Sequence, residues 1–91
     1  MYLVLAIHHP VPERATDTLD ALQSILDGME GAPGLTAGYV GWDRPHEQVF
    51  ALCLWESAAQ FNDRFPWIQQ AVARSGIRDW AARPPRALKF E

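Results

Sequence analysis

The 91-residue sequence has few of the residues that build a disulfide framework, a metal centre or a membrane span. Its one cysteine cannot close an internal disulfide, and there is no Cys/His spacing typical of a metal site. No apolar run approaches the roughly 20 residues that a membrane helix needs. We therefore expect no bound metal and no membrane partner, and the lone thiol favours a reducing, cytoplasmic location.

Basic residues are also scarce and scattered along the chain. Eight Lys and Arg against eleven Asp and Glu give a formal net charge of −3. A nucleic-acid surface needs a basic stripe, so this pattern argues against nucleic-acid binding. The apolar start, MYLVLAIHHP, has neither a basic n-region nor a small-residue cleavage site, so we do not expect a signal peptide. Gly-rich phosphate loops and nucleophile elbows are likewise missing.

The sequence does contain enough apolar material for one small core. Hydrophobic residues make up 48% of the chain, which is ordinary for a globular domain. No repeat, linker or low-complexity segment divides residues 1–91, so a single domain is expected.

The segment Gln48–Gln60, QVFALCLWESAAQ, predicts a strand followed by the start of a helix. Its residues 49–55 are all apolar, and alternate side chains make both faces of that strand apolar. Ser57 suits an N-cap, and Gln60 follows it at the spacing of a capping box. Because one layer of helices covers only one face of a sheet, a second copy of the protein is expected to cover the other.

The remaining segments predict the order β-α-β-β-α-β. Besides the strand from Gln48, strands are expected at Tyr2–His9, Leu35–Asp43 and Arg86–Glu91, and helices from Glu13 to about Met29 and from Ser57 to Gly76. We expect Pro66 to break the second helix at Phe65, because the residue before a proline is disfavoured in the helical conformation. This order is typical of a ferredoxin-like α+β fold, a four-stranded antiparallel sheet with helices on one face. Two open sheet faces packed together would form a homodimer.

The order of elements, together with Leu54-Trp55-Glu56-Ser57 and the downstream Phe61, resembles the antibiotic-biosynthesis-monooxygenase domain of the dimeric α+β barrel superfamily. The resemblance spans essentially the whole chain, and its motif marks the fold better than the reaction. It implies a dimeric α+β barrel. Similar members include cofactor-independent oxygenases of aromatic or quinol substrates, haem-degrading oxygenases, and small proteins with no assigned activity.

The resemblance to the haem-degrading members can be compared residue by residue. Those members use an Asn in the first strand, a Trp in the helix after the Trp-Glu-Ser step, and a His about ten residues further on. The matching positions here are Ile7 or His8, Arg64, and a residue near Arg74, and none of them carries the required side chain. Haem degradation of that type is therefore not expected.

Two pairs of residues are candidates for catalysis. His8 and His9 are adjacent on a strand, so their side chains point to opposite faces. The histidine that faces a pocket between helices and sheet would act as a general base. Asn62 and Arg64 would orient the substrate and stabilise its anion. The alternatives are a strand-end histidine satisfied by backbone or water, and a solvated helix face for Asn62 and Arg64.

Four aromatic residues are candidates for binding a small apolar or aromatic ligand. They are Tyr39, Trp42, Trp67 and Trp80. The alternatives are a Tyr39 hydroxyl bonded to a backbone carbonyl and a Trp67 ring that packs locally. Trp55 is instead expected in the core or in the interface between copies, and Cys53 is expected to be a buried, inert thiol.

Two functions of different classes are compatible with these residues. The first, implied by the resemblance, is a small monooxygenase without a cofactor, which deprotonates an aromatic, polyketide-like or quinol substrate for direct reaction with dioxygen. The second is a non-catalytic ligand-binding or assembly module on the same fold, with haem binding as a further alternative. An open cavity between helices and sheet, with a histidine and Arg64 facing it, would favour the enzyme.

Overall fold

The computed structural model describes all 91 residues and contains four strands and two α-helices. In chain order they are β1 (Tyr2–Pro10), α1 (Ala15–Gly28), β2 (Leu35–Asp43), β3 (Gln48–Trp55), α2 (Ala58–Ser75) and β4 (Ala81–Phe90). Short 3-10 turns at Pro12–Arg14 and Arg44–His46 precede α1 and connect β2 to β3. The predicted β-α-β-β-α-β order of a ferredoxin-like α+β fold is confirmed. Neither helix has the length and apolar character needed to cross a membrane.

The four strands form one antiparallel sheet in the order β2-β3-β1-β4. In the central pair, Val4 lies opposite Cys53 and His8 lies opposite Val49. These residues are on the sheet face that both helices cover, which we call the covered face. The opposite face, which we call the open face, is apolar along both central strands, with Leu3, Leu5, Ile7, Phe50, Leu52 and Leu54.

The core lies between the helices and the covered face, in two clusters. The larger one contains Val4, Met29, Ala32, Trp55 and Phe61, and the smaller one contains Leu22, Val49 and Ile77. Trp55 and Val49 have no exposed surface. The apolar residues of β3 that point to the helices are therefore covered by them, as their apolar character predicts.

Helix α2 begins and ends as its sequence predicts. Ser57 Oγ accepts a hydrogen bond from the Gln60 backbone N–H at 3.3 Å and donates one to Gln60 Oε1 at 2.9 Å. At the other end, Gly76 has a φ of 91°, the left-handed conformation that glycine adopts without a steric penalty.

Pro66 does not break α2, so that prediction was wrong. The helix continues from Ala58 to Ser75 with Pro66 inside it. Proline removes one helical hydrogen bond. However, Phe61 before it and Ile68 after it pack on the same core cluster. Tertiary packing of an apolar face contributes more to a helix in a protein than local propensity does.

The last strand is longer than predicted. It starts at Ala81 instead of Arg86 and includes Pro84 and Pro85. The register between β1 and β4 shifts between the pairs Ile7–Arg86 and His9–Arg83, which marks a bulge around the two prolines. Because β4 is an edge strand with an irregular ladder at this point, it tolerates residues that lack an N–H donor.

Candidate functional site

A cavity of about 300 Å³ lies between the covered face of the sheet and the two helices. Hydrophobic side chains provide 15 of its 21 lining residues. Its volume and lining are typical of sites that bind small organic molecules. The space between helices and sheet is therefore open, not filled by the tryptophans.

The cavity exists because a row of small residues crosses the sheet beneath the helices. Ala6 of β1 lies opposite Ala51 of β3 on one side and opposite Ala87 of β4 on the other. All three alanines line the cavity. Larger side chains would fill this space, as Val4 and Trp55 fill the core nearby.

His8 faces the cavity, and His9 does not. His8 is among the lining residues, and the alternation of side chains along β1 turns His9 to the opposite face. The His9 residue is only 8% exposed, and its Nδ1 accepts a hydrogen bond from Arg83 Nη2 at 3.3 Å. Within one chain the two histidines therefore cannot act on the same ligand.

The surroundings of His8 disfavour the protonated form of its ring. Burial lowers the pKa of His8 below the ordinary 6.5, and the neighbouring His9 lowers it further. The histidine rings that form side-chain hydrogen bonds in the protein are those of His9 and His46, not that of His8. A neutral imidazole that faces an apolar cavity without a protein partner can accept a proton from a bound molecule.

The charged side chains around the cavity are all basic. Lys89 and Arg78 line it, and no carboxylate does. Arg86 also borders it, although its register opposite Ile7 directs its side chain to the open face. Arg78 follows the buried Ile77, which packs in the same cluster as Val49, the partner of His8 in the sheet. Arg78 is thus the sequence neighbour of a residue that packs near the His8 end of the cavity, and its own side chain is exposed.

The predicted cluster of Asn62, Arg64 and Trp67 lies outside the cavity. Asn62 is exposed. The Arg64 guanidinium stacks 4.3 Å from the Trp67 ring, and its Nη2 donates a hydrogen bond to the Gly28 carbonyl at 3.3 Å. A Cβ on Gly28 would lie 3.0 Å from Trp67 Cη2, so the indole packs closely on the end of α1. Arg64 and Trp67 thus connect the two helices, and the solvated position considered for Asn62 is the one observed.

Trp42 and Trp80 also lie away from the cavity lining. Both pack at the edge of the smaller core cluster. The Arg44 guanidinium lies 4.3 Å from the Trp42 ring, and the Arg14 guanidinium lies 5.4 Å from the Trp80 ring. Each indole is thus packed between the core and a surface arginine, where a ligand in the cavity does not reach it.

Tyr39 borders the cavity, but its side chain belongs to the open face. Its partner in the sheet is Leu52, and Tyr39 is 65% exposed. The neighbouring Gly38 points toward the helices, since a Cβ there would collide with Leu26. Alternation then directs Tyr39 the other way. The structure does not bring Tyr39 together with His8.

Two lining residues were missed at the level of sequence, Lys89 and Arg78. Lys89 lies on β4 opposite Val4, and its Nζ is 5.4 Å from the centre of the Phe61 ring and 5.7 Å from that of Phe65. The sequence did offer one indication that Lys89 has a specific role, because it is the single lysine of the chain. Its position at the cavity depends on the pairing of β4 with β1, which the sequence does not give.

The fold can be compared with known proteins, although no family model and no curated protein matches the sequence. An antibiotic biosynthesis monooxygenase is 14% identical, with a TM-score of 0.82 over 100% of this chain and 97% of that one. A protein of unknown function from Nitrosomonas europaea is 18% identical, with a TM-score of 0.83 over 99% and 86%. A monooxygenase from the ActVA-Orf6 gene of Streptomyces coelicolor, in complex with nanaomycin D, is 15% identical, with a TM-score of 0.78 over 98% and 84%. At these identities the likeness establishes the fold.

Proposed function

Because this chain has an antibiotic-biosynthesis-monooxygenase-like fold, we propose that it is a small monooxygenase that needs no metal or organic cofactor. Its substrate is an aromatic, polyketide-like or quinol molecule with an ionisable hydroxyl group. The observation that carries the proposal is the position of His8, whose ring faces an apolar cavity of about 300 Å³ without a hydrogen-bond partner in the protein. The small ligand nanaomycin D, bound to a protein of the same fold, supports a substrate of this general kind.

In this mechanism His8 is the general base. It takes the proton from the substrate hydroxyl, and the resulting anion donates electrons to dioxygen and forms a carbon-bound peroxide. The peroxide takes up the proton, its O–O bond breaks, and the hydrogen on the same carbon leaves with the released hydroxide as water, which forms a new carbonyl group. One oxygen atom enters the product, the other leaves as water, and the substrate supplies all four electrons, so no external reductant is needed.

Arg78 is the electrostatic partner in this proposal. Its exposed side chain lines the cavity next to Ile77, which packs in the same cluster as Val49, the partner of His8 in the sheet. A cation on this side of the cavity would stabilise the negative charge that develops on the substrate. Arg64, which the sequence suggested for this role, is bonded to Gly28 and stacked on Trp67 instead.

The experiment that tests the enzyme is oxygen uptake with anthrones and hydroquinones. We expect His8→Ala to lower turnover by at least about 100-fold, because a positioned base typically contributes that much. His46→Ala is the matched control, since His46 is an exposed loop histidine, and it should retain wild-type turnover. Wild-type turnover in His8→Ala would refute the role of His8.

The second candidate function is ligand binding without chemistry. It is favoured by one observation, namely that Asn62 and Arg64 do not face the cavity. The two functions differ in a direct measurement. A protein that binds these phenols by calorimetry and consumes no oxygen with any of them is a binding module.

A homodimer formed through the open face is part of the proposed function. The open face carries apolar side chains on both central strands, and both helices lie on the other side of the sheet. An apolar face of this kind is best buried against an identical face across a two-fold axis. We place the protein in a reducing cytoplasm because Cys53 has no second cysteine to pair with.

A further inference from the structure

Lys89 has an unusual position for the only lysine of an acidic chain. It lies at the cavity, on the covered side of edge strand β4, with its ammonium group over the rings of Phe61 and Phe65. The alkyl stem and the two rings hold the charge at the cavity. An ammonium group has three donors, and a contact with ring faces leaves donors available for an acceptor in the cavity.

No group of the protein neutralises this charge. The carboxylates that lie within 4.0 Å of a basic side chain are Asp17, beside Arg14, and Asp43, beside His46, and none of these residues lines the cavity. Since no carboxylate lines the cavity either, the ammonium charge is available to a ligand. The positive character is local, because the whole chain has a net charge of −3.

Lys89 and His8 stand at opposite ends of the cavity. Lys89 lies opposite Val4 in the sheet, and Val4 precedes His8 by four residues on β1. Four residues of a strand span roughly 13 Å. The row of alanines lies between the two ends, with Ala6 midway between Val4 and His8. A flat aromatic body resting on the alanines would place one end near each basic group.

We propose that Lys89 selects substrates that carry a carboxylate group at the end of the aromatic body opposite the ionisable hydroxyl. The carboxylate pairs with the Lys89 ammonium, which fixes the hydroxyl near His8. The inference deepens the proposed function and rests on it for the position of the hydroxyl. The binding of the carboxylate itself does not depend on turnover.

The test compares two probes of the same size and shape, the anionic 6-hydroxy-2-naphthoate and the neutral 6-hydroxy-2-naphthamide. Dissociation constants are measured by isothermal titration calorimetry for the wild type, Lys89→Met, Lys89→Arg and Arg74→Met. Arg74→Met removes one positive charge from an exposed position of α2 that does not line the cavity, so it controls for net charge.

We expect the wild type to bind the naphthoate roughly two- to fivefold more tightly than the naphthamide, as an exposed charge pair allows. Lys89→Met should lose this preference while it binds the naphthamide as the wild type does. Lys89→Arg and Arg74→Met should keep it. The preference should also weaken with added salt in the wild type, but not in Lys89→Met.

The proposal is overturned if the wild type binds both probes equally, if it binds neither, or if Lys89→Met keeps the preference for the naphthoate. The monooxygenase proposal fails by a different result. It is refuted if the wild type shows the Lys89-dependent preference but consumes no oxygen with any phenol. If oxygen uptake depends on His8 while neutral and acidic substrates react equally well, only the role of Lys89 is refuted.

Discussion

His8 and His9 are neighbours in sequence with opposite surroundings in the fold. His8 faces an apolar cavity, and His9 is held by Arg83 on the other side of the sheet. Strand alternation predicts that only one of them faces the pocket. It does not say which one, because that depends on which side the helices pack. The packing of Val4 against the helical core settles the question, since Val4 and His8 share a face.

Both histidines make the stability of the protein depend on pH. Burial lowers the pKa of each histidine below 6.5. The neighbouring His9 lowers the pKa of His8 further, and Arg83 and Arg86 lower that of His9 further. Between the lowered folded value and 6.5, the unfolded chain binds more protons than the folded chain does. The free energy of unfolding should therefore fall as the pH drops through 6.5 and level off below the folded pKa values.

Urea denaturation at pH 7.5 and 5.5 measures this dependence. His8→Gln and His9→Gln should each reduce the loss of stability on acidification. A free energy of unfolding that is equal at the two pH values in the wild type would contradict the prediction.

At the scale of the elements, helix α2 contains an unfavourable residue that packing tolerates. Pro66 is exposed within the helix and lacks the N–H that would bond to the carbonyl of residue 62. We expect Pro66→Ala to raise the free energy of unfolding by about 1–3 kcal/mol, because proline inside a helix is the least favourable residue. Gln70→Ala, at another exposed position of α2, should change it by less than about 0.5 kcal/mol. Chemical denaturation measures both, and an unchanged or lower stability in Pro66→Ala would contradict the prediction.

The elements that local signals define were predictable from the sequence. Strands β2 and β3 have the predicted bounds, since glycine and proline mark the turns before each strand and the N-cap Ser57 follows β3. The predictions for α2 and β4 were wrong where they relied on proline alone. Pro66 is compensated by core packing, and Pro84 and Pro85 are accommodated by the position of β4 at an edge. Both effects come from tertiary structure, so they could not be predicted from the prolines and their neighbours in sequence alone.

At the scale of the whole molecule, the open face predicts association. We expect the wild type to sediment as a dimer and Leu52→Arg to sediment as a monomer, because a buried charge in the middle of an apolar interface is costly. Ser24→Arg, on an exposed position of α1, is the control and should remain a dimer. Circular dichroism confirms that each variant is folded. A folded Leu52→Arg protein that still sediments as a dimer would place the interface elsewhere.

The candidate site was only partly predictable, because its residues come from elements far apart in the chain. The histidine could be identified from its strand. Lys89 lies at the cavity because it pairs with Val4, which is 85 positions away in the sequence. Arg64 and Trp67 had suitable chemistry for a site. Their packing on Gly28, at the end of the other helix, is a contact that spacing along the sequence does not reveal.

The two prolines of β4 also bear on how the protein avoids fibrous aggregation. An edge strand presents unpaired N–H groups on which the strand of another molecule can add, and repeated addition builds a growing fibril. Pro84 and Pro85 lack these donors, and the bulge beside them makes the edge irregular. This edge is therefore a poorer template for a further strand, which disfavours growth of the sheet from one molecule to the next.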